Sequence, residues 1–420
     1  MHKKKDPSEE RREVKNQKIA ETMKKTLEKR KSQDCKVFEL KINERRLNKA
    51  QKEAMFMLFV EAKWFYNAVL GSGTTPSDYD SKVKSVLVKY PGGFQERPLE
   101  HLSAAMKQHI LADMTSSIKS LSTHKKKGDK VGKLKFVSEY TSIGLKQYNH
   151  THQIDFKRNR VSVQKVGWMR VHGLKQIPDG ADIANARLVK RASGYYLMLT
   201  VFLDKQPEKT GEATTVVGVD MGVATSLTLS NGYEFSAYVE EPERLKRFQR
   251  KLAKQDKSSN SYQKTVTQLR REYEKMGNKK NDVANKIVSN ILKNDAVFFQ
   301  DEILSQWKVR WGKKIHHSVL GRVKESLKRA DNAYMLNRSV ATTQTCTCGR
   351  KNKLPLSERT YECECGRKLP RDVHSAQMMV ILGKDLVPTG RREFKLVESA
   401  AAWDSVEFYE HSVKPEATTL

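Results

Sequence analysis

The stretch Thr214–Thr225, T-T-V-V-G-V-D-M-G-V-A-T, limits what this chain can fold into more than any other. Four of the five residues from Thr215 to Val219 are β-branched, the pattern of a strand buried on both faces. Such a strand excludes a carboxylate unless the acid is paired or bound to a cation, yet Asp220 sits near its end. Gly218 and Gly222 flank the acid and leave room for another backbone, or a phosphate, to come close. Ala224–Leu229 reads as a second strand, and Asn231-Gly232 marks a hairpin turn before Tyr233–Phe235. Taken alone, Asp220 is better explained as a turn or capping residue. A cation site needs further ligands.

Two more acids occupy matching places. Asp295–Gln300 (D-A-V-F-F-Q) reads as another buried strand that delivers Asp301-Glu302 at its end, and Asp372 opens a helix predicted over Val373–Leu382. Strand, hairpin, helix, strand, helix in this order fits a ribonuclease-H-like α/β sheet, in which distant carboxylates converge at one edge of the central strands. Two divalent cations about 3.5–4 Å apart in such a cluster activate a water and stabilise the leaving oxygen in phosphodiester hydrolysis. An oxygen-rich site selects Mg²⁺ or Mn²⁺. At the second position Glu302 is preferred, because it reaches further and Ile303-Leu304 can continue the packing; Asp301 is the alternative.

Of five cysteines, Cys35 stands alone and the others form Cys346-x-Cys348-Gly and Cys363-x-Cys365-Gly, with 14 residues between Cys348 and Cys363. Two facing Cys-Gly turns place four thiolates for a structural zinc ribbon, although each pair encloses one residue where two are common. His374 lies close by and is expected to be structural. With no open ligand position, the ribbon is expected to bind nucleic acid rather than catalyse.

A formal charge of +30 and a pI near 9.8 require a polyanion to neutralise the surface, which makes nucleic acid the leading partner. No apolar run is long enough to span a bilayer, and M-H-K-K-K-D-P-S-E-E lacks a signal-peptide core, so the chain is expected to be soluble, intracellular and free of membrane. Residues 1–35 are charged and are expected to form a solvated helix or to order on a partner. Cys35–Ile42 alternates as a first strand, followed by helices at Asn48–Leu70 (with Met55, Phe56, Phe59, Trp64 and Phe65 on its apolar face), Ser81–Lys89 and Pro98–Ser122. After the basic loop Lys125–Lys130, strands are predicted at Gln153–Phe156, Val161–Val163, Met169–Val171, Ala186–Lys190 and Tyr195–Leu203. This is a β-barrel interrupted by a helical lobe. A polar linker, Lys205–Ala213, precedes the opening stretch, and a helical pair, Pro242–Lys254 and Tyr262–Leu292, follows the hairpin with a basic first helix suited to phosphate contact. A helix at Ser318–Arg329 and a short strand at Tyr334–Leu336 complete the set.

The order G-V-D-M-G, Q-D-E-I-L, T-T-Q-T-C-T-C-G, Y-E-C-E-C-G and P-R-D-V-H-S-A resembles the transposon-encoded TnpB proteins and their descendants, the miniature type V CRISPR effector nucleases. V-F-E-L-K-I-N-E-R-R-L-N-K-A-Q, W-F-Y-N-A-V-L, W-M-R-V-H-G-L-K-Q-I-P-D-G and the closing G-R-R-E-F-K-L-V-E-S-A with V-K-P-E-A extend the resemblance over residues 36 to 418. It implies an α+β multidomain protein: a charged extension (1–35), a wedge barrel (36–47 and 131–205), a helical recognition lobe (48–130), a RuvC nuclease domain (214–340 and 367–390), a zinc ribbon (341–366) and a tail (391–420). Asp220, Glu302 and Asp372 match the three RuvC acids that hold Mg²⁺ or Mn²⁺; Cys346, Cys348, Cys363 and Cys365 match the ligands of a structural Zn²⁺. Pro370-Arg371-Asp372 replaces an acidic-Arg-Asp triplet and leaves the third acid in place.

The activity implied is RNA-guided cutting of double- and single-stranded target DNA in a prokaryotic cytoplasm. Guide RNA supplies sequence specificity, and the protein reads a short flanking motif. The charged extension favours a CRISPR effector used in antiviral defence over a transposon protein. Two protein copies on one RNA are the habit of the former, single action that of the latter. A guided repressor without cleavage and a strand transferase or junction resolvase on the same fold are the competing readings.

Overall fold

Apolar–polar alternation from Cys35 makes the first strand of the N-terminal half, and an Asn cap starts its first long buried helix. The computed structural model describes residues 7–205, 215–223, 226–355 and 357–386. The chain divides into two compact units, Met1–Pro207 and Glu208–Leu420.

In the N-terminal unit, α1 (Pro7–Lys31) leads to β1 (Gln33–Ile42) and α2 (Lys49–Ser72). The α1 side chains Ile19, Met23 and Leu27 are exposed, as a solvated helix requires. A capping box of Asn48 and Gln51 starts α2, and Gly73 ends it in the left-handed conformation at φ 71°. Met55, Phe59 and Phe65 enter the core, whereas Phe56 is 55% exposed, a correction to the predicted apolar face. The helix expected at Ser81–Lys89 is instead a hairpin, β2 (Ser85–Tyr90) and β3 (Gly93–Pro98). S-V-L-V-K-Y is rich in β-branched and aromatic residues, and Pro91-Gly92 turns the chain where a mere break was expected. The next helix, α3 (Ala104–Lys126), starts later than the predicted Pro98, because Ser103 caps it.

Six strands follow: β4 (Ser142–Leu145), β5 (His152–Asp155), β6 (Arg160–Val163), β7 (Gly167–His172), β8 (Asp182–Arg191) and β9 (Gly194–Asp204). With β1 they form one curled antiparallel sheet in the order β4-β8-β9-β1-β7-β6-β5. The insert between β1 and β4 carries the β2–β3 hairpin as well as helices, and its α2 and α3 share one core with the sheet through Leu58, Phe65, Met106 and Ile110.

The C-terminal unit is built on the opening stretch. Its elements are β10 (Val216–Met221), β11 (Leu227–Leu229), β12 (Glu234–Phe235), α4 (Glu243–Ala253), α5 (Asn260–Ile291), β13 (Ala296–Gln300), α6 (Leu304–His317), α7 (Leu320–Leu327), β14 (Ala333–Leu336), β15 (Thr360–Glu362), β16 (Lys368–Pro370) and α8 (Arg371–Gly383). Five strands align as β12-β11-β10-β13-β14. The first three form an antiparallel meander, and β10, β13 and β14 run parallel. Both faces are covered, as parallel strands require. On one face Val217, Val219, Val297 and Phe299 meet Ile287 and Ile291 of α5; on the other, Ala296, Phe298 and Leu336 meet Met379 and Val380 of α8.

The period of two along a strand puts Gly218 on the opposite face from Val217 and Val219. A Cβ on Gly218 would lie 1.8 Å from the Ala376 carbonyl oxygen, so α8 rests directly on this backbone. The close approach anticipated for Gly218 is therefore made by a helix. The same alternation carries Asp220 onto the α8 face. Part of the opening stretch (Thr214, Ala224 and Thr225), most of the polar linker and the C-terminal family segments lie outside the described residues.

Candidate active site

Asp220, Glu302 and Asp372 arrive from three elements and line one cleft of about 830 Å³. β10 brings Asp220, the turn after β13 brings Glu302, and the first turn of α8 brings Asp372, where the helix N-terminus favours a carboxylate. The carboxylate of Asp220 accepts a hydrogen bond from Ser375 Oγ at 2.9 Å. Ser375 in turn shares a hydrogen bond with Thr342 Oγ1 at 3.0 Å, and Thr342 donates to Gln300 Oε1 at 3.3 Å. Burial, followed by the nearby Asp372 and Glu302 carboxylates, pushes Asp220 up to about 8 against the lowering effect of Ser375. Burial also raises Glu302. A buried aspartate whose charge is disfavoured by two neighbouring carboxylates is part of a donor set suited to a hard cation, which would offset that repulsion.

The two acids after β13 part company in space. Asp301 turns to Lys324 Nζ at 2.6 Å and Lys328 Nζ at 3.6 Å, a pairing that lowers its carboxyl, and it does not line the cleft. Lys324 also donates to the Glu302 carbonyl at 2.5 Å, which fixes the turn that aims Glu302 inward. Reach was the argument for Glu302 in the sequence; the lysine partner of Asp301 is the physical reason.

Several cleft residues escaped sequence reasoning. The whole of α6 was missed, because Gln306, Trp307, Arg310 and Trp311 follow no simple apolar period, and the helix is interrupted at Trp311 (φ −123°, ψ 34°). Ser375 was hidden among helix residues, although its position three after Asp372 puts both at the same end of α8. Arg310, Arg338, Arg359 and Arg371 ring the acids with positive charge, a composition suited to phosphate. The cationic residues expected on α4 are mostly outward-facing, while Leu245 and Phe248 hold that helix down. Lys246 is partly buried and pairs with Glu243 at 2.5 Å.

The four cysteines gather as expected. Their sulfurs lie within 4.8 Å of one another, with Cys346–Cys365 at 3.6 Å and Cys348–Cys363 at 3.7 Å. A tetrahedron with Zn–S bonds of about 2.3 Å has S···S edges of about 3.8 Å, so the set fits zinc. The two turns are copies: Gly349 donates to the Cys346 carbonyl at 3.0 Å and Gly366 to the Cys363 carbonyl at 2.9 Å, each glycine left-handed at φ 85° and 92°. One residue between the cysteines therefore suffices, because the glycine takes up the tight curvature. Burial opposes the Cys346 thiolate, but the Cys348 amide and the neighbouring thiols outweigh it and hold Cys346 down to about 6. His374 is not a ligand of this set. It stacks on Tyr361 at 3.5 Å, contacts the Thr345 carbonyl at 2.9 Å through Nε2, and burial holds it neutral, down to about 4. It ties the cysteine module to α8, the helix that carries Asp372.

Residues 200–296 match the family model OrfB_IS605, described as "Probable transposase". The chain is 24% identical over 229 residues to "Putative RNA-guided DNA endonuclease InsQ" of Escherichia coli (strain K12), which covers 52% of this chain and 56% of that protein. It is 21% identical over 222 residues to "Putative RNA-guided DNA endonuclease" of Streptomyces pristinaespiralis, covering 50% and 55%. The chain thus spans about half the length of the curated relatives it matches. A solved structure of a Cas12f1-sgRNA-target DNA complex aligns over 79% of each chain at 14% identity and a TM-score of 0.37. No described helix is long and apolar enough to cross a membrane. With the model of the OrfB_IS605 family matched at the β10 region and both relatives named for one activity, the resemblance of this chain to the TnpB proteins is borne out.

Proposed function

We propose that this protein is an RNA-guided DNA endonuclease whose RuvC-type site consists of Asp220, Glu302 and Asp372. One observation carries the reading: acids from β10, the end of β13 and the start of α8 line a single cleft ringed by arginines. The meander-then-parallel order of the five strands supports a ribonuclease-H-like sheet, and the seven-stranded sheet with its insert supports a wedge and a recognition lobe at the boundaries given above. The names of the matched relatives support guidance by RNA, and a net charge of +30 supports RNA and DNA as partners.

The three carboxylates would hold Mg²⁺ or Mn²⁺, which when bound supplies an activated water and stabilises the leaving oxygen. Ser375 orients the Asp220 carboxylate, Lys324 orients the Glu302 turn, and the arginines hold the phosphodiester in the cleft. Cys346, Cys348, Cys363 and Cys365 would hold a structural Zn²⁺ that fixes the ribbon against α8. The test compares Glu302→Gln with Asp301→Asn in a DNA cleavage assay with Mg²⁺ and the co-purified RNA. Glu302→Gln should lose at least about a hundredfold in rate, while Asp301→Asn keeps cleavage within about fivefold. Equal losses from both, or a greater loss from Asp301→Asn, would overturn the site as drawn.

A further inference from the structure

A second, smaller cavity of about 280 Å³ opens beside the acid-lined cleft. The two share Gly222 and Val223, just beyond Asp220, so a chain lying over the acids can continue from one into the other. Ser226 precedes β11, Ser236 and Tyr238 follow β12, and Lys314 lies in the last turn of α6; all four line this cavity. Its lining contrasts with that of the cleft: one lysine, several hydroxyls and one aromatic ring, without a carboxylate among the described residues. The Tyr238 segment is held in place from behind. Val239 N donates to the His317 carbonyl at 3.0 Å and Val319 N to the Ala237 carbonyl at 2.7 Å, while Tyr238 itself stays 45% exposed.

Each feature has one chemical partner in common. A lysine neutralises a phosphate, hydroxyls donate to its oxygens, and an accessible ring on a fixed backbone stacks a base irrespective of sequence. The cavity, about 280 Å³, has room for a single nucleotide. We propose that it seats one unpaired nucleotide of the DNA strand whose phosphodiester lies at Asp220, with the base against Tyr238 and the phosphate on Lys314, Ser226 and Ser236. The inference rests on the nuclease reading for its choice of ligand. It explains how a cleft could select single-stranded over duplex substrate at the point of cutting, which the three acids by themselves do not.

The test needs a readout independent of cutting. A single-stranded DNA oligonucleotide carrying 5-iodouracil is photo-crosslinked to the full chain in EDTA, and the adduct is mapped by peptide mass spectrometry. Adducts on Tyr238 are expected, together with a rise in KM for single-stranded DNA of at least about fivefold in Tyr238→Ala and Lys314→Ala, kcat staying within about twofold. Tyr238→Phe and Lys314→Arg should restore KM, because ring and charge return. Adducts confined to other segments, a Tyr238 adduct formed by an RNA oligonucleotide but not by DNA, or wild-type KM in both alanine variants would overturn the proposal. A Tyr238 adduct in a protein that never cuts would uphold the nucleotide seat and defeat the nuclease reading alone. Cutting without the adduct would do the reverse.

Discussion

Replacing Asp220 by Asn is expected to cost at least about a hundredfold in Mg²⁺-dependent DNA cleavage, while leaving RNA and DNA binding nearly unchanged. The binding surface is spread over a chain of net charge +30, so one carboxamide cannot remove it. The same variant should stabilise the metal-free protein. Asp220 titrates near 8 in the folded chain, far above an ordinary aspartate, because burial and the Asp372 and Glu302 carboxylates disfavour its charge. Between about pH 4 and 8 the folded state therefore binds a proton that the unfolded state has lost, and the wild type loses stability as pH rises through that window. Asparagine has no such proton. The difference in melting temperature, Asp220→Asn minus wild type, should grow from about pH 4 to pH 8 and then level off. Added Mg²⁺ should narrow it by stabilising the wild type. A difference that is flat with pH would mean that the three carboxylates do not share one electrostatic environment.

The second large effect concerns the cysteines. Purified protein should carry about one zinc per chain by elemental analysis, and Cys363→Ser should carry little. Structural zinc sites contribute on the order of 10 kcal/mol of binding free energy that is tied to folding. Loss of the ion should therefore lower the melting temperature of the C-terminal unit by more than about 5 °C. It should also reduce cleavage, although none of the cysteines lines the cleft. The path runs through the Tyr361–His374 stack and the Thr345 contact to α8, which presents both Asp372 and Ser375. Full zinc occupancy in Cys363→Ser would overturn the ligand assignment. Unchanged cleavage after zinc loss would show that the ribbon and α8 are mechanically independent.

Strong local signals were legible in the sequence. The β-branched run before Asp220 gave a strand buried on both faces, and the Asn-Gly turn gave its hairpin. The Cys-x-Cys-Gly repeats gave two turns of matching geometry. What stayed hidden depends on partners far along the chain. Ser375 becomes significant only because Gly218 lets α8 sit on the β10 backbone, 155 residues away in sequence from the acid that the serine contacts. The split between Asp301 and Glu302 is decided by Lys324, whose role needs the packing of α7 against the end of β13. The β2 strand was misread as a helix because it buries little, so no clean alternation marked it. The curl of the N-terminal sheet likewise depends on pairing across long separations, such as β1 with β9.

The central claim is tested most directly by cleavage with the guide changed and everything else held fixed. Protein loaded with RNA whose guide matches a DNA target should cut that target in Mg²⁺, and cutting should follow the guide when its sequence is exchanged for that of a second target. It should cease for both targets after RNase treatment. Cutting that ignores the guide, or that survives removal of the RNA, would contradict the account.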